Sequence, residues 1–430
     1  RRSPCGDPTL AYRRQLLLDY PFLNRIHPIE HRQDIAMSLP RFIQIHTLHT
    51  YPAALLNRDD AGLAKRLPYG GAIRTRISSQ CLKRHWRVAD DAFSLAKLGV
   101  PMATRTRYVA ELIRQRLIEQ GIEEARAFAT AEALLEALFG EKADKKKEGV
   151  KALQTGQAVL FGNEEIAYLA RRCRDIAGDF SDPVALKAEV AKFLKEEKKN
   201  IEAMKLGSGL ESALFGRMVT SDLLANRDAS VSVAHAFTVH EAQVENDYFT
   251  VVDDFAQAED GAGSAGIFDT ELASGLYYGY VVIDVPQLVA NLEGIKVEDV
   301  FTTGAEKREL AGKVAQHLLH LIATVSPGAK RGSTAPYAWA KFVLVEAGDW
   351  QPRSLAAAFH DPMPLKGDSS IRARAAGKLA NEIAAFDAAY GMPTARRFLS
   401  LDELIVPAAE RATLSQLGEW IAQTVRDGAC

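Results

Sequence analysis

At 430 residues, with 47% apolar and 25% charged side chains, the chain has room for two or three packed lobes, and its composition is that of a globular protein. No apolar run reaches the roughly 18 residues of a membrane-spanning helix, so that class is excluded. The net charge of −2 taken alone argues against a nucleic-acid partner.

The first 36 residues carry Pro4, Pro8, Pro21 and Pro28 without periodic apolar pattern. They read as an extension, disordered or artefactual, and Met37 reads as a natural start, with no signal peptide expected before it. Phe42–Leu48 alternates and is rich in β formers, which predicts a first strand. Asn57–Gly71, with Pro68 and a Gly70-Gly71 pair, reads as a loop. Ile73, Thr75 and Ile77 then alternate with Arg74 and Arg76 in a short strand with one apolar and one basic face. Ser78 and Ser79 cap a helix expected to run to about Leu98.

Residues 102–204 have helical apolar spacing, for example at Leu112, Leu117, Leu134, Leu138, Ile166 and Leu169. The lysine-rich stretch Asp144–Glu148 interrupts them as a solvated linker. Strand character returns at Val231–Val239, Tyr248–Val252, Leu276–Ile283 and Ala338–Val345, with helices expected over Glu306–Val325 and Ile371–Tyr390. This succession predicts an α+β domain with an inserted helical lobe. Asp253–Ser274, rich in Ala, Gly and acidic residues, reads as a long connection between two strands, a class of loop that usually has a function.

Charge is concentrated in one place. Between Arg58 and Arg87 stand eight basic residues (Arg58, Lys65, Arg66, Arg74, Arg76, Lys83, Arg84, Arg87) against two acidic ones (Asp59, Asp60), a local +6 that leaves −8 for the rest. On a helix, Gln80, Lys83, Arg84 and Arg87 fall at i, i+3, i+4 and i+7 and form one polar stripe, while Leu82, Trp86 and Ala89 face inward. The two serines leave backbone N–H groups and hydroxyls at the positive end of the helix, a cradle for phosphate fed by Arg74 and Arg76. Such an arrangement grips a sugar-phosphate backbone without reading bases. No nucleophile stands beside a base, so no catalytic residue is assigned and the chain is expected not to be an enzyme.

The segment Leu56-Asn-Arg-Asp-Asp60, the Gly70-Gly71 pair and Arg76-Ile-Ser-Ser-Gln80 with Lys83 and Arg84 resemble the N-terminal signature of the CasC family, the repeated backbone subunit of the type I-E CRISPR complex Cascade, within the RAMP superfamily. Ala213-Leu-Phe-Gly-Arg-Met218 is a second match, and Val233-Ala-His-Ala-Phe-Thr238, continuing through Gln243-Val-Glu245 to Asp253-Asp254, is a third. The resemblance implies an RRM-like, modified ferredoxin-like palm (residues 37–87 and 214–430), helical fingers (88–213) and a long hairpin thumb on 253–274. It implies copies lined along a crRNA, each thumb displacing one base held by a neighbour and leaving the others free to pair with target DNA. Implied partners are crRNA, target DNA through the guide, further copies of the chain, and the CasA, CasB, CasD and CasE types of subunit, with no cofactor, no metal, no membrane and a cytoplasmic location.

By position, Lys65, Ser78, Gln80, Lys83 and Arg87 match the family's crRNA contacts, and Met218 matches a position near the RNA kink, although a core methionine is the plain alternative. Arg74, Arg76 and Arg84 join them through the basic patch. The thumb wedge has to be apolar, which points to Ile267, Phe268 or Leu272. Lys330 and Arg331, in Ser326-Pro-Gly-Ala-Lys-Arg-Gly-Ser333, read equally as RNA contacts or as part of a plain turn.

Other signals carry less. His317 and His320 lie three apart on a helix without a third ligand nearby, which favours packing over metal. His46 and His49 fall on opposite strand faces, and His235 reads as a core histidine. Cys5, Cys81, Cys173 and Cys430 are scattered and suggest neither zinc nor disulfides. Asp59 and Asp60 support a second reading, an RNA-cleaving backbone subunit of a type III-like complex, since two adjacent carboxylates can position a metal or a base; their plainer use is to shape a turn.

Overall fold

A computed structural model describes residues 39–144, 146–147, 149–203, 206–218, 226–252, 264–391 and 394–428. The expectations for residues 1–36 and for Met37 lie outside the described residues, as do those for Asp253 and Asp254.

β1 spans Phe42–Ala54, longer than its alternating core, and is followed by a hairpin of β2 (Arg66–Tyr69) and β3 (Ala72–Ile77). The stretch read as a loop therefore contains a strand. Gly70 and Gly71, at φ 60° and 75°, form the two-residue turn, whose positive angles glycine alone adopts at no cost. A Cβ on Gly70 would also stand 1.4 Å from the His360 carbonyl oxygen, so the turn is pressed against that segment.

α1 (Ser79–Arg87) ends sooner than expected. The Asp91 carboxylate accepts from Phe93 N–H at 2.8 Å and its carbonyl from Ser94 N–H at 3.3 Å, and this aspartate turn redirects the chain before a short 3-10 turn at Leu95–Leu98. Phe93, thus placed, stacks on His320 with ring centroids 3.6 Å apart, and its carbonyl lies 3.0 Å from His317 Nδ1. Both histidines are used in packing.

The helical lobe follows: β4 (Ala103–Thr106), α2 (Val109–Glu119), α3 (Glu124–Phe139), β5 (Val159–Gly162), α4 (Asn163–Asp179), α5 (Pro183–Glu196) and α6 (Lys198–Ala203). β4 and β5 pair with each other, apart from the main sheet. Ile113, Leu117, Leu134, Ile166, Leu169 and Val190 close a core of the lobe's own.

α7 (Leu210–Phe215) leads to β6 (Val231–Val233), β7 (Ala236–Thr238), β8 (Gln243–Val252) and the 21-residue β9 (Ser264–Asp284). Then come α8 (Val285–Glu293), α9 (Glu309–Thr324), the one-turn α10 (Arg331–Thr334), β10 (Phe342–Gly348), α11 (Ile371–Tyr390), β11 (Ala395–Ser400), β12 (Ala409–Arg411) and α12 (Leu414–Asp427).

Among the described residues the main sheet has ten strands in the order β12-β11-β10-β1-β9-β7-β3-β2, with β6 and β8 also paired to β9. Every pairing is antiparallel except β11 with β12. Ile43 and Ile45 face a core shared with α8, α9, α12 and Trp86 of α1, while Leu48, Phe342 and Leu344 face α11 and Phe359 on the other side. Helices thus cover both faces of the central strands, which explains why β1 reads as nearly continuously buried from Phe42 to Leu48. The α+β class holds.

Two further expectations need correction. Ser264–Ser274 is not loop: it pairs residue by residue with β8, from Gln243↔Ser274 to Val252↔Ser264. His235 is exposed, at the break between β6 and β7, so it is no core histidine.

Candidate nucleic-acid interface

α1 places the basic stripe. Ser78 caps it, its hydroxyl accepting from Cys81 N–H at 3.3 Å, and Arg84, His85 and Arg87 occupy the last turn, where positive charge suits the helix dipole. Trp86 is buried, with Leu82 and Ala89 packed beside it. The burial of that apolar side turns Gln80, Lys83, Arg84 and Arg87 into a single cleft of about 360 Å³. Arg105 of β4, Leu160 of β5, and Glu211, Phe215 and Gly216 complete its walls.

Arg105 escaped the sequence reading. The signal for it was the Ala103-Thr-Arg-Thr106 alternation, too short to stand out within helical sequence. Lys83 holds its ammonium 5.5 Å from the Phe215 ring, a cation–π contact, and burial lowers its pKa. Glu211 is buried, which raises its pKa, and accepts from Ala103 N–H at 2.6 Å. Its charge bears on Arg87, which lines the same cleft.

Around this cleft the predicted residues separate into several groups. Lys65 and Arg76 are half-buried and do not line it; the Arg76 guanidinium reaches the Arg66 carbonyl and His235 Nδ1, each at 3.2 Å. Met218 is 93% exposed, which rules out the core-methionine reading. The preceding Arg217 is anchored by two backbone bonds with Arg227 and by a buried 2.6 Å ion pair with Glu165 of α4, so Met218 projects from a fixed point.

Arg74 is withdrawn from the surface. Fully buried, it donates to the carbonyls of Tyr69, Thr238, Phe359 and His360 at 2.9–3.2 Å, so its role is to tie the β2–β3 hairpin to the following segments. Ser78 is likewise committed: its hydroxyl is the cap and its N–H donates to Asn57 Oδ1 at 2.9 Å. The phosphate cradle expected at this helix end is smaller for it.

Lys330 bonds Thr270 Oγ1 and lies 5.5 Å over the Phe249 ring, so it holds the β8–β9 hairpin and is not free for a ligand. On the neighbouring strand positions Glu271 accepts from Ala64 N–H at 2.8 Å and pairs with Arg66. Phe268 has a partner after all: it stacks on Phe249, centroids 5.6 Å apart at 24°. Ile267 lies opposite Thr250 in the ladder. Asp59 spends its carboxylate on the N–H groups of Ala61 and Leu63, at 3.0 Å each, as a turn former. Among the described residues no group of three or more His, Cys, Asp or Glu side chains is arranged to hold a metal ion, and no helix is long and apolar enough to cross a membrane.

A family profile described as CT1975-like protein matches residues 43–425. The chain belongs to the CT1975-like protein family. Among solved structures, this CT1975-like chain is similar to a chain of a CRISPR RNA-guided surveillance complex, pre-nicking, at 26% identity and TM-score 0.72, over 89% of this chain and 100% of the other. A chain of another CRISPR RNA-guided surveillance complex, at 23% identity and TM-score 0.62, covers 88% of this chain and 99% of its own, and shares the fold. The comparison with curated proteins finds no match.

Proposed function

We propose that this CT1975-like protein is the crRNA-binding backbone subunit of a type I-E CRISPR surveillance complex. Its copies polymerise along the guide and present it for pairing with target DNA. The observation that carries the reading is the α1 cleft, where Gln80, Lys83, Arg84, Arg87 and Arg105 converge; Cys81 Sγ and His85 Nδ1, 3.7 Å apart on the same helix, do not line it. Converging positive charge without catalytic groups suits retention of a phosphate backbone, with sequence recognition left to the guide's own base pairing. The likeness over the full length of a chain from an RNA-guided surveillance complex supports the same reading. In it the main sheet is the RRM-like palm, the helical lobe the fingers and the β8–β9 hairpin the thumb, and the subunit cleaves nothing. The RNA-cleaving alternative loses support because Asp59 is committed to its turn.

Replacing Lys83 and Arg87 together with Glu tests this. Single-stranded RNA binding should weaken, and each lost phosphate contact should lower the salt slope by about 0.7. Unchanged affinity and slope in a fluorescence-anisotropy titration would place the RNA elsewhere.

A further inference from the structure

A second feature lies outside the lining of the α1 cleft and is not used by the phosphate grip. Tyr337 is 73% exposed and Trp339 is 67% exposed, on a surface where large aromatic side chains are ordinarily covered. Between them the half-buried Ala338 packs against the cluster of Tyr51, Ile77 and Tyr277, on which Cys81 and Leu82 of α1 also rest. Its backbone is pinned twice by one hydroxyl: Ala338 N–H donates to Ser326 Oγ at 2.9 Å, and Ser326 Oγ–H donates to the Ala338 carbonyl at 3.0 Å. Tyr337 N–H donates to the Ala335 carbonyl at 2.7 Å, a tight turn at Pro336, and beyond it burial alternates, Tyr337 out, Ala338 half-buried, Trp339 out, Ala340 in, as in an extended chain. The two rings therefore leave the same side of a fixed backbone.

We propose that Tyr337 and Trp339 form a clamp that takes one unpaired base of a single-stranded RNA between their rings. The inference rests on the RNA-binding reading above. Residues two apart in an extended chain are separated by about 6–7 Å, which is about twice the 3.4 Å rise between stacked bases. That spacing admits one flat ring between two others. Charge around the pair fits a nucleic acid: Ser326–Lys341 contains Lys330, Arg331 and Lys341 and no acidic residue. Arg331 bears on the His85 imidazole together with Arg84, and on the Cys81 thiol together with Lys65, so this basic segment lies close enough to α1 to act on it. Lys330 is committed to the hairpin and Lys341 is half-buried, which leaves Arg331 as an exposed cation of this segment. Aromatic faces interleaved with positive charge are how single strands are held without regard to sequence.

The test compares a short oligouridine with an abasic phosphodiester strand of the same length and with duplex RNA. The phosphate grip binds the first two alike, whereas the clamp acts only on a base that is free to unstack. Tyr337→Ala with Trp339→Ala should weaken oligouridine binding by about 5- to 150-fold, the range of single-base stacking. Binding of the abasic strand and the duplex, the salt slope and the melting temperature should not change. The pair Tyr337→Phe, Trp339→Phe should restore most of the affinity, and each single Ala replacement should give part of the loss if the double variant folds poorly. Equal losses on oligouridine and abasic strand, or no loss on either, would overturn the clamp while leaving the phosphate grip standing. Unchanged RNA affinity with impaired self-association, read by native mass, would make the pair a protein–protein contact and overturn it as well. A wild-type chain with no affinity for either single strand would overturn the RNA-binding reading itself.

Discussion

Glu346 shows how one residue in the middle of a sheet can set the terms for several others. Fully buried on β10, it receives Arg353 at 2.7 and 2.9 Å, Arg396 at 2.7 Å and His46 at 3.2 Å, and Arg396 in turn holds Asp387. Burial alone would raise its pKa, but the bonds from His46 and Arg353 hold it well below the usual carboxylate range. Glu346→Ala would leave two arginines without their shared counter-charge. The expected loss is about 3–5 kcal/mol, read by denaturant unfolding, and the idea fails if the midpoint does not move. His49, on the other face of β1, responds to pH. Burial pushes it down to about 4, whereas in the unfolded chain it titrates near the ordinary 6.5. The unfolded state therefore takes the proton first. Stability should fall as pH drops from about 6.5 towards 4, by at most about 1.4 kcal/mol per pH unit from this group, and be unaffected by it above that window. Melting curves of the wild type and His49→Gln should diverge at low pH only; parallel curves would remove His49 as a cause.

At the level of elements, the β8–β9 hairpin is held midway along its ladder, by Lys330 on Thr270 and Phe249 and by Arg66 with Ala64 N–H on Glu271. Replacing residues 247–270 with a short Gly-Ser turn should leave the sheet folded, because β9 keeps its pairing with β1 from Ala273 to Asp284. The same replacement should stop copies from stacking regularly on crRNA, and with it target-DNA binding, as measured by native mass and DNA titration. A complete, DNA-competent assembly would refute the thumb assignment. This hairpin also shows what could be read in advance. The α1 stripe was legible because Trp86 and Leu82 need a core and helical spacing then dictates where Lys83 and Arg87 go. Ser264–Ser274 was not legible, because an outlying ribbon with Gly266, Asp269 and Glu271 has no apolar alternation to announce it. Arg74 misled for the opposite reason: alternation placed it on the basic face, and only the four carbonyls converging there explain its burial.

Across the whole molecule, β9 joins the parts described separately above. Its 21 residues extend about 70 Å, and near Ala273 the strand passes from the hairpin into the sheet, where it runs beside β1 to Asp284. The residue pairs Val244↔Ala273 and Ala54↔Ala273 share one position of one strand, next to a register shift in β1 between Tyr51 and Ala54. A force applied at the protruding end is thus delivered lengthwise to a strand flanked by β1 on one side and β6 and β7 on the other. Lengthwise load strains all the rungs of those ladders together, whereas a sideways load would open them one at a time. The protrusion is set into the molecule as a tie-rod is set through a wall, and a tug on it is borne by the strongest direction of the sheet.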